Sequence, residues 1–144
     1  EKQAFTQYYG TSALDASNLQ IGIMGFLPHD HPRVKSTIEA TLRELTSEDQ
    51  ELVYRYVNPD GLPGEEGVFS ICTFWLADAL ILSGDIERGE RIFQRMLRHM
   101  NHVGLYSEEI DPYTGEFLGN FPQAFTHIAL INTAHILAWA YQQK

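Results

Sequence analysis

Cysteine is nearly missing from this 144-residue chain, where Cys72 stands alone. One thiol excludes a disulfide framework and a thiolate metal site, and within an apolar run it reads as a small buried hydrophobe. Bases are scarce too, with 10 Lys and Arg against 19 Asp and Glu, for a formal net charge of −9. They are scattered without a block of like sign, so neither nucleic acid nor an anionic membrane is an expected partner. No apolar run reaches the roughly 18 residues, free of polar interruption, that a membrane span needs. No signal-peptide pattern is visible, and cytoplasm is the expected compartment, although Glu1 rather than Met comes first,. A Gly-rich phosphate loop, a Ser-His-Asp arrangement and the twelve-residue EF-hand spacing are all missing, and no cofactor or metal is expected. His29 and His31 flank Asp30 without a third ligand, and His99 and His102 read as helix C-terminal residues,.

What is present is ordinary folded-domain material, 44% hydrophobic and 20% charged, in about one domain's length,. Pro and Gly cut the chain into five blocks that all read as helices. The first, Ser12 to Leu27, carries only Asp15 as a charge and is stopped by Pro28. The second begins at Pro32, with Asp30 or His31 as cap, and repeats Val34, Ile38, Leu42 and Leu45 on one face,. The third, from Gly67, contains one charge, Asp78, and ends at Gly84 as a left-handed cap,. The fourth starts after Asp85 as N-cap and alternates an apolar face with Glu and Arg,. The fifth, Phe121 to about Tyr141, has no Asp, Glu, Lys or Arg at all.

Blocks one, three and five are therefore apolar around most of their circumference, and blocks two and four are one-sided. Helices apolar on every side must lie inside something. The starts of the three inner blocks, near residues 12, 67 and 121, recur about every 54 residues,. A repeated inner-then-outer hairpin predicts an all-α fold, part of an α/α toroid, against the alternative of a plain helical bundle. An arc of such a ring should leave apolar flanks uncovered, at Ile21, Ile23 and Met24 on one side and Leu130, Ile131 and Leu137 on the other.

Two connections into inner helices stand out, LVYRYVNPDGLPGEEG from Leu52 and GLYSEEIDPYTGEFLGNFPQAFTH from Gly104. Loops this long in a compact domain carry function. Tyr54, Tyr56, Tyr106, Tyr113 and Phe117 offer flat apolar faces beside Arg55 and carboxylates, a mixture suited to sugar rings. Carboxylates in such company are candidates for general acid and base work on a glycosidic bond. Glu108 and Glu109 are adjacent and must point apart, and the residues alone do not choose between them. Asp111, before Pro112, reads as a turn residue accepting backbone N–H bonds. Glu65 and Glu66 read equally well as acids favoured by the start of the third helix. His127 and His135 are expected in hydrogen-bonded core roles, with His127 also a candidate to orient a carboxylate. Trp75 and Trp139 are expected in the core.

The runs DGLPGEEGVFSICTFWLADAL and LYSEEIDPYTGEFLGNFPQAFTHIALINTA, and more loosely YYGTSALDASNLQIGIMGFLPHDHPRV, resemble the glucoamylase and trehalase-like family, glycoside hydrolase family 15. The resemblance implies an (α/α)6 barrel that hydrolyses terminal α-linked glucose with inversion. It further implies that Glu108 is the general base that activates water, that Arg55 in its pair with Tyr56 binds glucose hydroxyls, and that Glu65 and Glu66 are outer sugar contacts. An inverting enzyme also needs a general acid. The family's acid lies in an earlier Trp-Glu type motif that these residues do not contain. Residues 1–144 are therefore expected to be the C-terminal portion of the catalytic domain, inactive alone, which packs with the rest of the ring or self-associates. The alternative is a non-catalytic toroid module that binds sugar or protein.

Overall fold

A computed structural model of the chain describes residues 2–48, 52–58 and 66–143. The first inner helix is shorter than the sequence predicts, a 3-10 turn over Ala16–Leu19 continued by α1, Gln20–Ile23. Asp15 starts it by accepting the Ser17 N–H at 2.8 Å. Gly25, at φ +71°, ends it before Pro28 is reached, because a residue in the left-handed region cannot continue the helix.

Helix α2, Pro32–Glu44, opens with Pro at its first position, and His31 Nδ1 accepts the Arg33 N–H at 3.1 Å. Val34 and Ile38 are buried on its apolar stripe. Helix α3 spans Ser70–Leu82, and Gly84, at φ +98°, caps it as expected. Helix α4, Ile86–Met96, is capped by Asp85, which accepts the Arg88 N–H at 3.3 Å. Helix α5 covers Ala124–Gln142.

Position in the core explains the alternation. Helix α3 packs against α1, α2, α4 and α5, and its buried residues include Cys72, Phe74, Leu76, Ala77 and Leu80. With neighbours on every side it has little room for charge, and Asp78 is its one charged residue, whereas α2 and α4 each bury one stripe. The arrangement is all-α, inner and outer helical hairpins set as an arc of a toroid. Rings join the hairpins: Phe74 meets Phe93 at 6.2 Å and Tyr106 at 5.9 Å between centroids. Offset and edge contacts of this kind add to area burial.

Helix α5 buries Thr126, Ala129, Thr133, Leu137 and Ala140, yet Phe125, Ile128, Ile131 and Trp139 on its other side are exposed. Of the residues expected on the flanks, Met24 and Ile131 are exposed, Ile21, Ile23 and Leu130 are half-buried, and Leu137 is buried. Trp139 is thus at the surface rather than in the core, and Trp75 is half-buried. His135 is likewise exposed. Among the described residues, no helix is long and apolar enough to cross a membrane.

Helices do not account for the whole chain. Three two-residue strands, β1 (Val68–Phe69), β2 (Glu109–Ile110) and β3 (Phe117–Leu118), form an antiparallel sheet in the order β1-β2-β3. Phe69 pairs with Glu109, and Glu109 with Leu118. This ribbon moves the start of the third helix from Gly67 to Ser70 and places the Ser-Glu-Glu run at the N-termini of two inner helices.

Candidate active site

The segment Tyr106 to Glu109 is held at nearly every polar backbone group. Helix N-termini leave N–H groups without intrahelical partners, and this segment supplies acceptors for two of them. The Glu108 carbonyl accepts the Ser70 N–H at the start of α3 at 3.0 Å, and the Tyr106 carbonyl accepts the N–H of Gln123, just before α5, at 3.0 Å. The Thr126 hydroxyl donates to the Ser107 carbonyl at 3.2 Å. On the other edge, the Glu108 N–H donates to the Asn120 carbonyl at 2.9 Å. Tyr106, fully buried, anchors the run through its hydroxyl, which donates to the Met96 carbonyl at 2.9 Å. It is a core residue and offers no sugar platform.

Glu108 and Glu109 diverge as adjacent residues in extended backbone must. Glu108 lies toward the β3 side, where its Oε2 accepts the Asn120 N–H at 3.1 Å and the Asn120 side-chain amide at 2.8 Å. Glu109 lies toward the β1 side: a Cβ on Gly67 would come within 3.0 Å of its Oε2. Burial pushes the Glu109 carboxyl above its ordinary range, the Gly67 N–H offsets part of this, and the charges of Glu66 and Glu108 push it further up. Three carboxylates therefore act on one another here. Glu66 is exposed, and Glu65 falls outside the described residues.

Arg55 lies half-buried on the connection ahead of β1, where its Nε donates to Asp15 Oδ1 at 2.6 Å. Its own carbonyl accepts the Ala16 N–H at 2.8 Å, so Asp15 and Arg55 tie this connection to the first inner helix. Burial alone would raise the Asp15 carboxyl, but hydrogen bonds from Arg55 and Ser17 hold it below its usual value. The pairing in turn raises the Arg55 guanidinium. With Nε bound, the two terminal amino groups of Arg55 meet no acceptor among the described residues. Tyr56 is half-buried beside it. The buried Cys72 thiol, on the first turn of α3, marks where the two connections converge: burial pushes it up, Arg55 lowers it, and Asp15 and Glu109 raise it.

Asp111 has the turn role expected of it. Its Oδ1 accepts the N–H groups of Tyr113 at 2.8 Å and Thr114 at 2.9 Å, which holds its carboxyl low. Among the described residues, His127 bonds to no carboxylate. It braces the loop from behind, with Nε2 accepting the Tyr106 N–H at 3.4 Å and Nδ1 at 2.7 Å from the Gln123 carbonyl. Two partners were missed from sequence, Asp15 and Asn120. Asp15 is 40 positions from Arg55 and shows no local pattern, whereas Asn120 follows a glycine in a run whose composition already stood out. Among the described residues, no three of His, Cys, Asp or Glu gather where a metal ion would be held.

Comparison with known proteins adds the lineage. Residues 1–88 and 86–135 match glycosyl hydrolases family 15. A trehalase of Mycobacterium tuberculosis is 50% identical over 135 residues, covering 92% of this chain and 20% of that protein. One from Mycolicibacterium smegmatis is 48% identical over 139 residues, 95% of this chain and 21% of its own length. One from Thermoplasma acidophilum is 41% identical over 144 residues, 100% of this chain and 25% of its length. No solved structure matches. The chain thus spans about a fifth to a quarter of the curated relatives it matches. With the family matched through the inner-helix connections that carry Arg55 and Glu108, the chain belongs to glycosyl hydrolases family 15.

Proposed function

We propose that residues 1–144 are the C-terminal portion of the (α/α)6 catalytic domain of an inverting glycoside hydrolase that cleaves trehalose. The observation that carries the reading is the Glu108 carboxylate, fixed at the junction of two inner-helix N-termini on the same end of the arc as Arg55. The choice of sugar leans on the relatives named trehalase. Glu108 acts as general base, taking a proton from the water that attacks the anomeric carbon. Arg55 donates through its terminal amino groups to glucose hydroxyls, and Tyr56, Glu66 and Glu65 contact the sugar farther out. The general acid comes from the part of the enzyme outside this chain, where the carboxyl pair has the separation of roughly 6.5 to 9.5 Å that inversion requires. The 144 residues alone therefore release no glucose. The exposed sides of α1 and α5 pack with the remainder of the ring or, in isolation, with another copy.

Trehalose joins two α-glucoses through one oxygen shared by both anomeric carbons, so the test is stereochemical. Attack with inversion at one carbon gives one β-glucose, and the leaving sugar departs as α-glucose. Proton NMR of the complete enzyme on trehalose, read before mutarotation, should show the two anomers in equal amounts. Only α-glucose would overturn inversion, and cleavage of maltose but not trehalose would overturn the substrate.

Arg55→Ala in the complete enzyme should raise KM about tenfold, because water replaces only part of what a guanidinium fork offers to hydroxyls. Binding of a glucose-like inhibitor, followed by calorimetry, should weaken by a similar factor. Unchanged inhibitor affinity would leave Arg55 as the tie to Asp15 and nothing more.

A further inference from the structure

We propose that Asn120 is a positioning residue for Glu108 and that it selects Oε1 as the oxygen that takes the proton. The inference rests on Glu108 being the general base. A carboxylate oxygen has about two lone-pair sites. On Oε2 both face donors from one residue, the Asn120 N–H at 3.1 Å and its side-chain amide at 2.8 Å. The Asn120 carbonyl accepts the Glu108 N–H at 2.9 Å, so three bonds lock residue 120 to residue 108. Oε1 meets no donor among the described residues, which leaves it as the free acceptor for water.

Gly119 makes the approach possible. Its φ is +70°, and a Cβ there would come within 2.9 Å of Oε2 and 3.1 Å of the Glu108 Cβ. A side chain would be strained by the backbone and would displace the carboxylate. Asn120 itself is not in the left-handed region, so backbone conformation does not call for asparagine. Its amide does. Asp has the same shape and serves equally well in turns, but it would set acceptor lone pairs and a second negative charge against Oε2.

Asn120→Asp in the complete enzyme, assayed on trehalose at pH 7, therefore separates positioning from turn formation. We expect kcat to fall about 10- to 100-fold with KM within twofold. In a Glu108→Gln background the same substitution should cost less than threefold, since no carboxylate is left to position. Asn120→Ala keeps the backbone donor and should fall between, at about three- to tenfold, and it decides the matter if the Asp variant does not fold. A kcat within twofold of the parent for both variants, an equal loss in both backgrounds, or a rise in KM alone would each overturn the proposal. If Glu108→Gln itself leaves turnover intact, the base assignment fails first, and that result is read independently of Asn120.

Discussion

The complete enzyme carrying Glu108→Gln should bind trehalose with nearly its parent affinity and turn it over about 10² to 10⁴ times more slowly, the usual contribution of a positioned acid or base. Glutamine is nearly isosteric, and its amide oxygen can still accept from Asn120, so the loop and sugar contacts survive. What is lost is the ability to hold a proton as the transition state forms. An interaction made only in the transition state lowers kcat and leaves KM in place. Glu109→Gln provides the contrast. Its carboxyl is oriented toward Gly67 and the first strand, and its neutral isostere should lose less than tenfold. The opposite order, with Glu109→Gln inactive and Glu108→Gln active, would reverse the roles of the two residues.

The second large effect concerns stability. Asp78 is 1% exposed in the middle of α3. Asn132 of α5 donates to its Oδ2 at 2.9 Å, and its Oδ1 has no partner among the described residues. Burial pushes its carboxyl up to about 6 from 3.8, with the hydrogen bond from Asn132 pulling the other way. The folded state therefore holds the proton more tightly than the unfolded chain does. Between about pH 4 and 6 the native protein binds more protons, so stability falls as pH rises through that window and levels off above it. A displacement of about two pH units corresponds to roughly 3 kcal/mol. Asp78→Asn removes the charge while keeping the shape. Its unfolding free energy relative to the parent should be near zero at pH 4 and about 3 kcal/mol higher at pH 7.5, measured by denaturant titration of the complete protein. A difference that does not change with pH would show that the Asp78 carboxyl is not raised in the folded protein and would overturn the prediction.

Much of the scaffold was legible because burial on all sides restricts composition. A helix packed on most sides has little place for charge, so α3, with Asp78 as its one charged residue, was readable from the residues it excludes, and α5 was readable as charge-free although one side of it is exposed here. Caps were readable for a related reason: Asp85, Gly84 and Pro32 each have a local geometric role that few other residues fill. The ribbon was not readable, since strands of two residues have no period to detect. His135 was misplaced by a rotation. Eight residues along a helix of 3.6 per turn advance it by about 80° beyond His127, enough to move it from the packed side of α5 to the exposed one. At the site, adjacency alone said that Glu108 and Glu109 diverge, but the fold had to decide which neighbours each would meet. The Arg55–Asp15 pair joins two loops, and no pattern within either loop encodes it.

The hairpin from Asp111 to Glu116 has a consequence for how such an enzyme can diversify. Its tip closes on itself: Asp111 accepts from Tyr113 and Thr114, the Asp111 N–H reaches the Glu116 carbonyl at 2.9 Å, and the Gly115 N–H returns to the Asp111 carbonyl at 2.9 Å. The other end of the same ribbon is bonded to the starts of α3 and α5. Tip and root are therefore mechanically independent. A longer or differently shaped tip can be exchanged between relatives, by evolution or by grafting, and Glu108 keeps its place because nothing that fixes it passes through the turn. One short ribbon thus separates the bonded position of Glu108 from a self-contained outer edge, and new reach toward solvent can be built on that edge without rebuilding the bonds that hold Glu108.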